Sequence, residues 1–224
     1  SGINALPQGQ WEACTTLGYP LFSTVRRIIL PQALRSSAAA LFGEWARVNS
    51  TLGGMSGIRI DAGNDVTLIA SVRSYPHRFV SFHGLGFGEG STMSNENGVY
   101  IGVKLRLMRS LALSLYYDLF SFPEKTSVSG FSVKGNDVLV EMQASPFRKS
   151  AVIIRYHRKL TEERSDAMTF PTDVQRVQRI RLQLDYEVSR GVKLRGRVDR
   201  LFLDWKHSPQ REKGLMMYQD IAVR

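Results

Sequence analysis

The chain has 224 residues, enough for one large domain or two small ones, and its 30 Lys and Arg against 20 Asp and Glu give a formal net charge of +10. Such a charge raises nucleic acid, anionic lipid or an acidic substrate as partners, yet the cations are spread among acids with no basic helix, zinc-finger spacing or aromatic ribonucleoprotein motif, so nucleic acid is set aside. The single Cys14 excludes a disulfide framework and a cysteine metal site within one chain, and the opening Ser1-Gly2 carries no targeting segment, which suggests a fragment of a longer protein.

Residues 1–36 read as a first unit. Glu12-Ala13-Cys14 is followed by Gly18, then by Ile28 and Leu30-Pro31. Gly enters a left-handed turn at little cost and Pro limits the helix it follows, so two short helices broken near Gly18 are expected over residues 5–34. With this spacing, residues 2–35 resemble the coupling loop of ABC-importer permeases, in the polar amino-acid uptake branch, with Cys14 in place of the usual second Ala. The resemblance implies that Glu12, Ala13, Gly18, Ile28, Leu30 and Pro31 dock on an ABC ATPase subunit at the cytoplasmic face of the inner membrane. A permease needs spanning helices of about 20 apolar residues. The longest apolar runs, such as Ser37 to Phe42, are far shorter, so transport is not carried by this chain alone. The plainer alternative for residues 1–35 is an amphipathic helical segment of a soluble protein.

From about residue 40 the periodicity changes to two. In Val99 to Leu107 every odd position is apolar, and the even positions carry Tyr100, Gly102, Lys104 and Arg106, which describes a strand with one apolar and one polar face. Leu111, Leu113, Leu115, Tyr117 and Leu119 repeat the pattern after a turn at Met108-Arg109-Ser110. It recurs at Ile180 to Val188 and, past Ser189-Arg190-Gly191, at Val192 to Val198. Weaker candidates are Phe42 to Val48, Gly54 to Ala62, Val66 to Tyr75, Asp137 to Ser145, Ser150 to Lys159 and Gly214 to Val223, which makes about ten strands.

Strand length and loop rhythm choose between architectures. Many strands approach the 9–11 residues that a tilted strand needs to cross a bilayer. Short turns at 109–110, 146–149 and 189–191 alternate with long connections at 76–97, 121–136 and 160–177, the rhythm of outer-membrane barrels. Alternation by itself fits a soluble antiparallel sheet equally well, because that sheet buries the apolar face and a membrane barrel buries the polar one. Aromatics at strand ends, Tyr117, Phe120, Phe122, Tyr156, Tyr186, Phe202 and Trp205, favour the membrane reading by lying where an interfacial girdle would lie.

The phrases Leu41-Phe42-Gly43-Glu44, Asn95 to Gly102 and Gly214 to Asp220 resemble the barrel part of uncharacterised Gram-negative outer-membrane proteins. That resemblance implies an outer-membrane location and membrane lipid as partner, with no assigned substrate. The expected fold is therefore mainly β: a helical pair in residues 1–36, then an antiparallel up-and-down meander in 37–224, an incomplete barrel because Arg224 falls in mid-strand. Its polar face would line a lumen with Lys104, Arg106, Asp118, Arg155, Arg181, Asp185, Arg195 and Arg197. Cations outnumber acids among the polar positions of these strands, so a modest preference for anions is expected of any pore. The two units belong to different membranes, and a join near 35–40 would make the chain a chimera.

Chemistry is sparse. His77, His83, His157 and His207 show no metal-binding spacing, and Gly84 to Gly90 misses both the dinucleotide fingerprint and the phosphate loop, so it reads as an external loop. No Gly-x-Ser-x-Gly elbow is present. Neither an enzyme activity, a metal nor a cofactor is expected. The function read from sequence is a structural wall or passive pore, with the permease fragment as the alternative and a soluble binder of anionic polymers as a weaker third.

Overall fold

A computed structural model describes residues 37–48, 50–63, 65–79, 87–90, 94–124, 131–164, 172–189, 191–209 and 211–223, together with 16–18, 20, 23 and 27. The described residues hold ten strands: β1 (Ser37–Val48), β2 (Thr51–Ala62), β3 (Val66–Tyr75), β4 (Glu96–Met108), β5 (Leu111–Phe122), β6 (Val133–Ala144), β7 (Ser150–Arg164), β8 (Thr172–Ser189), β9 (Val192–Trp205) and β10 (Arg211–Val223). They form one sheet in sequence order, each strand antiparallel to its neighbours, with β1 and β10 as its edges. The up-and-down meander read from the alternation is present. No helix occurs among the described residues, so the expected helical pair is unsupported; most of residues 5–34 lie outside the described residues.

Several strands extend beyond their sequence-read boundaries. β1 starts at Ser37 rather than Phe42, because Ser37–Ala40 pair with Arg59–Ala62 although small residues on both faces hide the alternation. β7 runs on to Arg164 and β8 starts at Thr172, pairing Glu162 with Val174 and Glu163 with Asp173 inside what reads as a loop. β6 likewise begins at Val133, opposite Phe122. In these stretches the two faces carry similar residues, small ones in β1 and a mixture in β6, β7 and β8, so period two leaves little trace, whereas backbone ladder bonds form regardless of side-chain polarity.

The connections fall into two sets. At one end lie 63–65, 109–110, 145–149 and 190–191, all short; at the other lie 49–50, 76–95, 123–132, 165–171 and 206–210. We call these the short-turn end and the long-loop end. Beside the turn at 109–110 the register shifts between Arg106 and Met108, and beside 190–191 it shifts between Glu187 and Ser189. Such bulges at a rim bend the strand and end its pairing.

The register fixes which side chains share a face, since directly paired residues point the same way. Leu68, Val103, Leu115, Val140, Tyr156 and Ile180 form one continuous row across β3–β8. On the opposite face Lys104, Ser114, Glu141, Arg155, Arg181 and Asp199 form another. Burial separates the two toward the long-loop end. Arg73, Glu96, Asp118, Asp137 and Asp199 are buried on the charged face, whereas Leu41 on the apolar face is 84% exposed and Leu184 51%. Hereafter the charged face is the inner face and the apolar face the outer one.

The outer apolar band does not follow one register row. On β3 and β4 it spans Val66 to Val72 opposite Leu105 to Val99. On β8 to β10 it lies nearer the short-turn end, at Leu182, Leu184 and Tyr186, Val198 and Leu194, and Met217 and Ile221, while Arg158, Gln178, Phe202 and Lys213 take over the row that begins with Ile101 and Tyr117.

Candidate functional site

The inner face is built around Arg73 near the long-loop end of β3. Its guanidinium donates two hydrogen bonds to Asp118 of β5, Nη1 to Oδ1 at 2.8 Å and Nη2 to Oδ2 at 3.0 Å, and a third from Nε to Glu96 Oε1 of β4 at 2.6 Å. All three side chains are at most 2% exposed. A planar guanidinium suits this fork, which two parallel N–H groups satisfy at one carboxylate. Gly98, directly opposite Arg73, makes the room: a Cβ there would fall 2.2 Å from Arg73 Cζ.

The second carboxylate organises a loop. Glu96 accepts bonds from the amides of Glu89 at 2.9 Å and Gly90 at 2.9 Å, which folds residues 87–90 back over the inner face. Phe87 then meets Tyr100 edge to face, centroids 5.2 Å apart, and the Arg73 guanidinium lies 5.2 Å from the Phe87 centroid. The Glu89 carboxylate reaches Lys159 Nζ of β7 at 2.6 Å, so this segment spans the inner face from β4 to β7. Asn95, in the left-handed region at φ 55°, exchanges two 2.8 Å hydrogen bonds with the backbone of Glu124 and ties this loop to the next. Gly84 to Gly90, expected as an external loop, lies in the connection between β3 and β4, and its residues 87–90 are held over the inner face; 84–86 lie outside the described residues.

Further along, charges also pair between neighbouring strands. Asp137 lies directly across from Asp118 and sits 2.6 Å from His157 Nε2. Arg155 Nε donates to Glu141 at 2.6 Å, Arg181 Nε to Asp199 at 2.7 Å, Arg197 Nε to the same Asp199 at 2.8 Å, and Arg195 Nε to Asp185 at 2.7 Å. The result is three groups of charge pairs, in β3–β5, β6–β7 and β8–β9, with Asp137 and His157 an ion pair only when the imidazole is protonated. Among the described residues no group of three or more His, Cys, Asp or Glu is placed to hold a metal ion.

All eight expected lumen charges, Lys104, Arg106, Asp118, Arg155, Arg181, Asp185, Arg195 and Arg197, lie on the inner face. The expected excess of cations does not survive the full register. That register adds Arg59 and Arg73 to the cations of this face, and Glu44, Asp61, Glu96, Glu163, Asp173, Glu212 and Asp220 to its acids. Those acids lie outside the clearly alternating stretches, on weaker strands or, for Glu96 and Asp173, at the starts of β4 and β8, which is why the alternating stretches alone give a basic face. The aromatic girdle is also divided: Tyr117, Tyr156, Tyr186 and Phe202 face outward, whereas Phe120, Phe122 and Trp205 face inward, with Phe120 buried over Gly135.

Sequence reasoning missed Arg73 and Glu96, which carry the most buried ion pairs of the described residues. Their signal was weak, because Arg73 interrupts an otherwise small and apolar strand and Glu96 precedes the alternating stretch of β4. Of the expected ATPase-coupling residues, Gly18 is described and adopts φ 71°, the left-handed turn that Gly favours. Glu12, Ala13, Ile28, Leu30 and Pro31 lie outside the described residues. No protein-family model matches the chain, and no curated protein matches it.

Proposed function

We propose that residues 37–224 form the membrane-spanning wall of an outer-membrane β-barrel, acting as a structural wall rather than an open pore across β3–β7. One observation carries this reading: toward the long-loop end the charged face is the buried one and the apolar face the exposed one, and on β8 the apolar positions from Leu182 to Val188 are more exposed than the polar ones between them. Val99, Ile101, Leu119, Ile154, Ile180, Leu182, Leu184, Val198 and Met217 all present exposed apolar surface outward, while the buried apolar side chains among the described residues are Ala62, Val66, Tyr75, Phe79, Phe120 and Val133. A soluble sheet of this size has the reverse arrangement, since burying apolar area is its main source of stability and buried ions cost free energy. Hydrocarbon removes the conflict, and a sheet that pairs its backbone groups strand to strand is one of the two structures that can span it.

The alternation of short turns with long connections supports the same reading. The wall function follows from the charge pairs and the segment 87–90, which fill the inner side over β3–β7. The full chain, refolded from denaturant, tests it. The expected result is β content and a heat-sensitive shift in gel mobility only with detergent micelles or vesicles. A chain that is folded and monomeric in plain buffer would overturn the membrane reading, and steady ion conductance after insertion would replace the wall by the pore.

A further inference from the structure

Cations embedded in the apolar outer face pose a separate question. On β7–β10 one outer row reads Arg158, Gln178, Phe202 and Lys213, each directly paired with the next, and Arg200 lies two residues from Phe202 on the same face. The row nearer the short-turn end is Tyr156, Ile180, Arg200 and Leu215, so the three cations stand at the upper edge of the apolar band. Arg158 Nε is buried and has no hydrogen-bond partner, and among the described residues neither Arg158, Arg200 nor Lys213 meets a carboxylate. By contrast Arg176, one row further toward the long loops, has Asp204 at 3.5 Å.

Resting on the membrane reading above, we propose that this outer patch binds the phosphate of an anionic lipid headgroup, held between Arg158 and Arg200 with Lys213 beside them. Three observations converge. An arginine facing hydrocarbon without a counterion is costly, and a cation at the top of the apolar band needs an anion supplied from the leaflet. Arg200 is oriented by Phe202, its Cζ 5.2 Å from the ring centroid, and Gln178 is oriented by its 3.0 Å bond to Tyr156 Oη, so the floor of the patch is preset. Arg158 and Arg200 sit on strands two apart, about 10 Å at the usual strand spacing, which lets two long side chains converge on one phosphate. The planar fork of arginine matches phosphate oxygens, and the acyl chains would continue down the wall over Ile154, Leu182 and Val198.

The test uses the full chain in detergent micelles and compares phosphatidic acid with a neutral galactolipid of the same acyl chains, by native mass spectrometry. The expected preference for phosphatidic acid is about tenfold, equivalent to ~1.4 kcal/mol. The Arg158→Gln/Arg200→Gln double variant should bring the ratio close to one, whereas Arg109→Gln/Arg148→Gln, in turns at the opposite rim, should leave it unchanged. An unchanged ratio in the first variant overturns the proposal. So does full displacement of phosphatidic acid by equimolar inorganic phosphate, which would make this a free-anion site. Should the Arg158 variant fail to fold, Arg200→Gln with Lys213→Gln is read by the same ratio. A chain that never enters micelles defeats the membrane reading instead, a result distinct from one that enters micelles without lipid preference.

Discussion

The Arg73 guanidinium lies across Gly98 of the neighbouring strand, so close that a methyl group on Gly98 would sit 2.2 Å from Arg73 Cζ. Arg73 can move aside only by giving up its bonds to Asp118 and Glu96. Gly98→Ala should therefore destabilise the folded chain by about 1–3 kcal/mol, the usual cost of overpacking. Urea titration of heat-sensitive gel mobility in micelles measures this. Gly196→Ala, where a Cβ meets nothing within 4 Å, is the comparison and should fall well below it.

Ion pairs on this face differ in their expected contributions. Arg73→Met leaves two buried carboxylates without their cation and should cost about 3–5 kcal/mol. Lys149→Met breaks the solvent-exposed pair with Glu187 and should leave the titration nearly unchanged. Equal losses in the same titration would refute the buried network as the stabilising centre of the inner face.

Neighbouring residues on β6 separate the faces directly. Met142 points outward between Leu113 and Ile154, and Gln143 points inward between Ala112 and Ile153. Under the membrane reading Met142→Arg should reduce folding into vesicles by about 2–4 kcal/mol, as a cation on a lipid face does. Gln143→Arg should be tolerated. The opposite order would indicate that the apolar face packs against protein or faces water.

The tether from Glu89 to Lys159 holds residues 87–90 over the inner face. Lys159→Met should increase amide hydrogen exchange at Glu89 and Gly90 by about tenfold, from the loss of a charge-assisted bond. Exchange in β8 and β9 should stay unchanged. A loop already in fast exchange before substitution would remove the argument that it fills the wall.

How much was legible in the sequence depends on where the two faces differ chemically. Ile101, Val103, Leu113 and Leu182 against Lys104, Arg106 and Arg181 identify their strands and faces directly, because period two is fixed by backbone geometry. Ser37–Ala40 and Thr172–Val177 are hidden, since their two faces carry similar residues; only the ladder with a neighbouring strand makes them visible. Arg73, Glu96 and Asp118 are separated by 23 and 45 residues, and no local pattern announces that they meet.

The sequence by itself determined two-faced strands, their approximate number and the unequal connections at their ends, all of which follow from local spacing. Only the tertiary structure decided which face is buried, because an alternating strand reads the same whether its polar side chains point to solvent or to the interior. It also decided the charge balance of that interior. Register brings Glu44, Asp61, Glu96, Glu163 and Asp173 onto the face of Lys104 and Arg106, and register is a property of paired strands that no single strand contains.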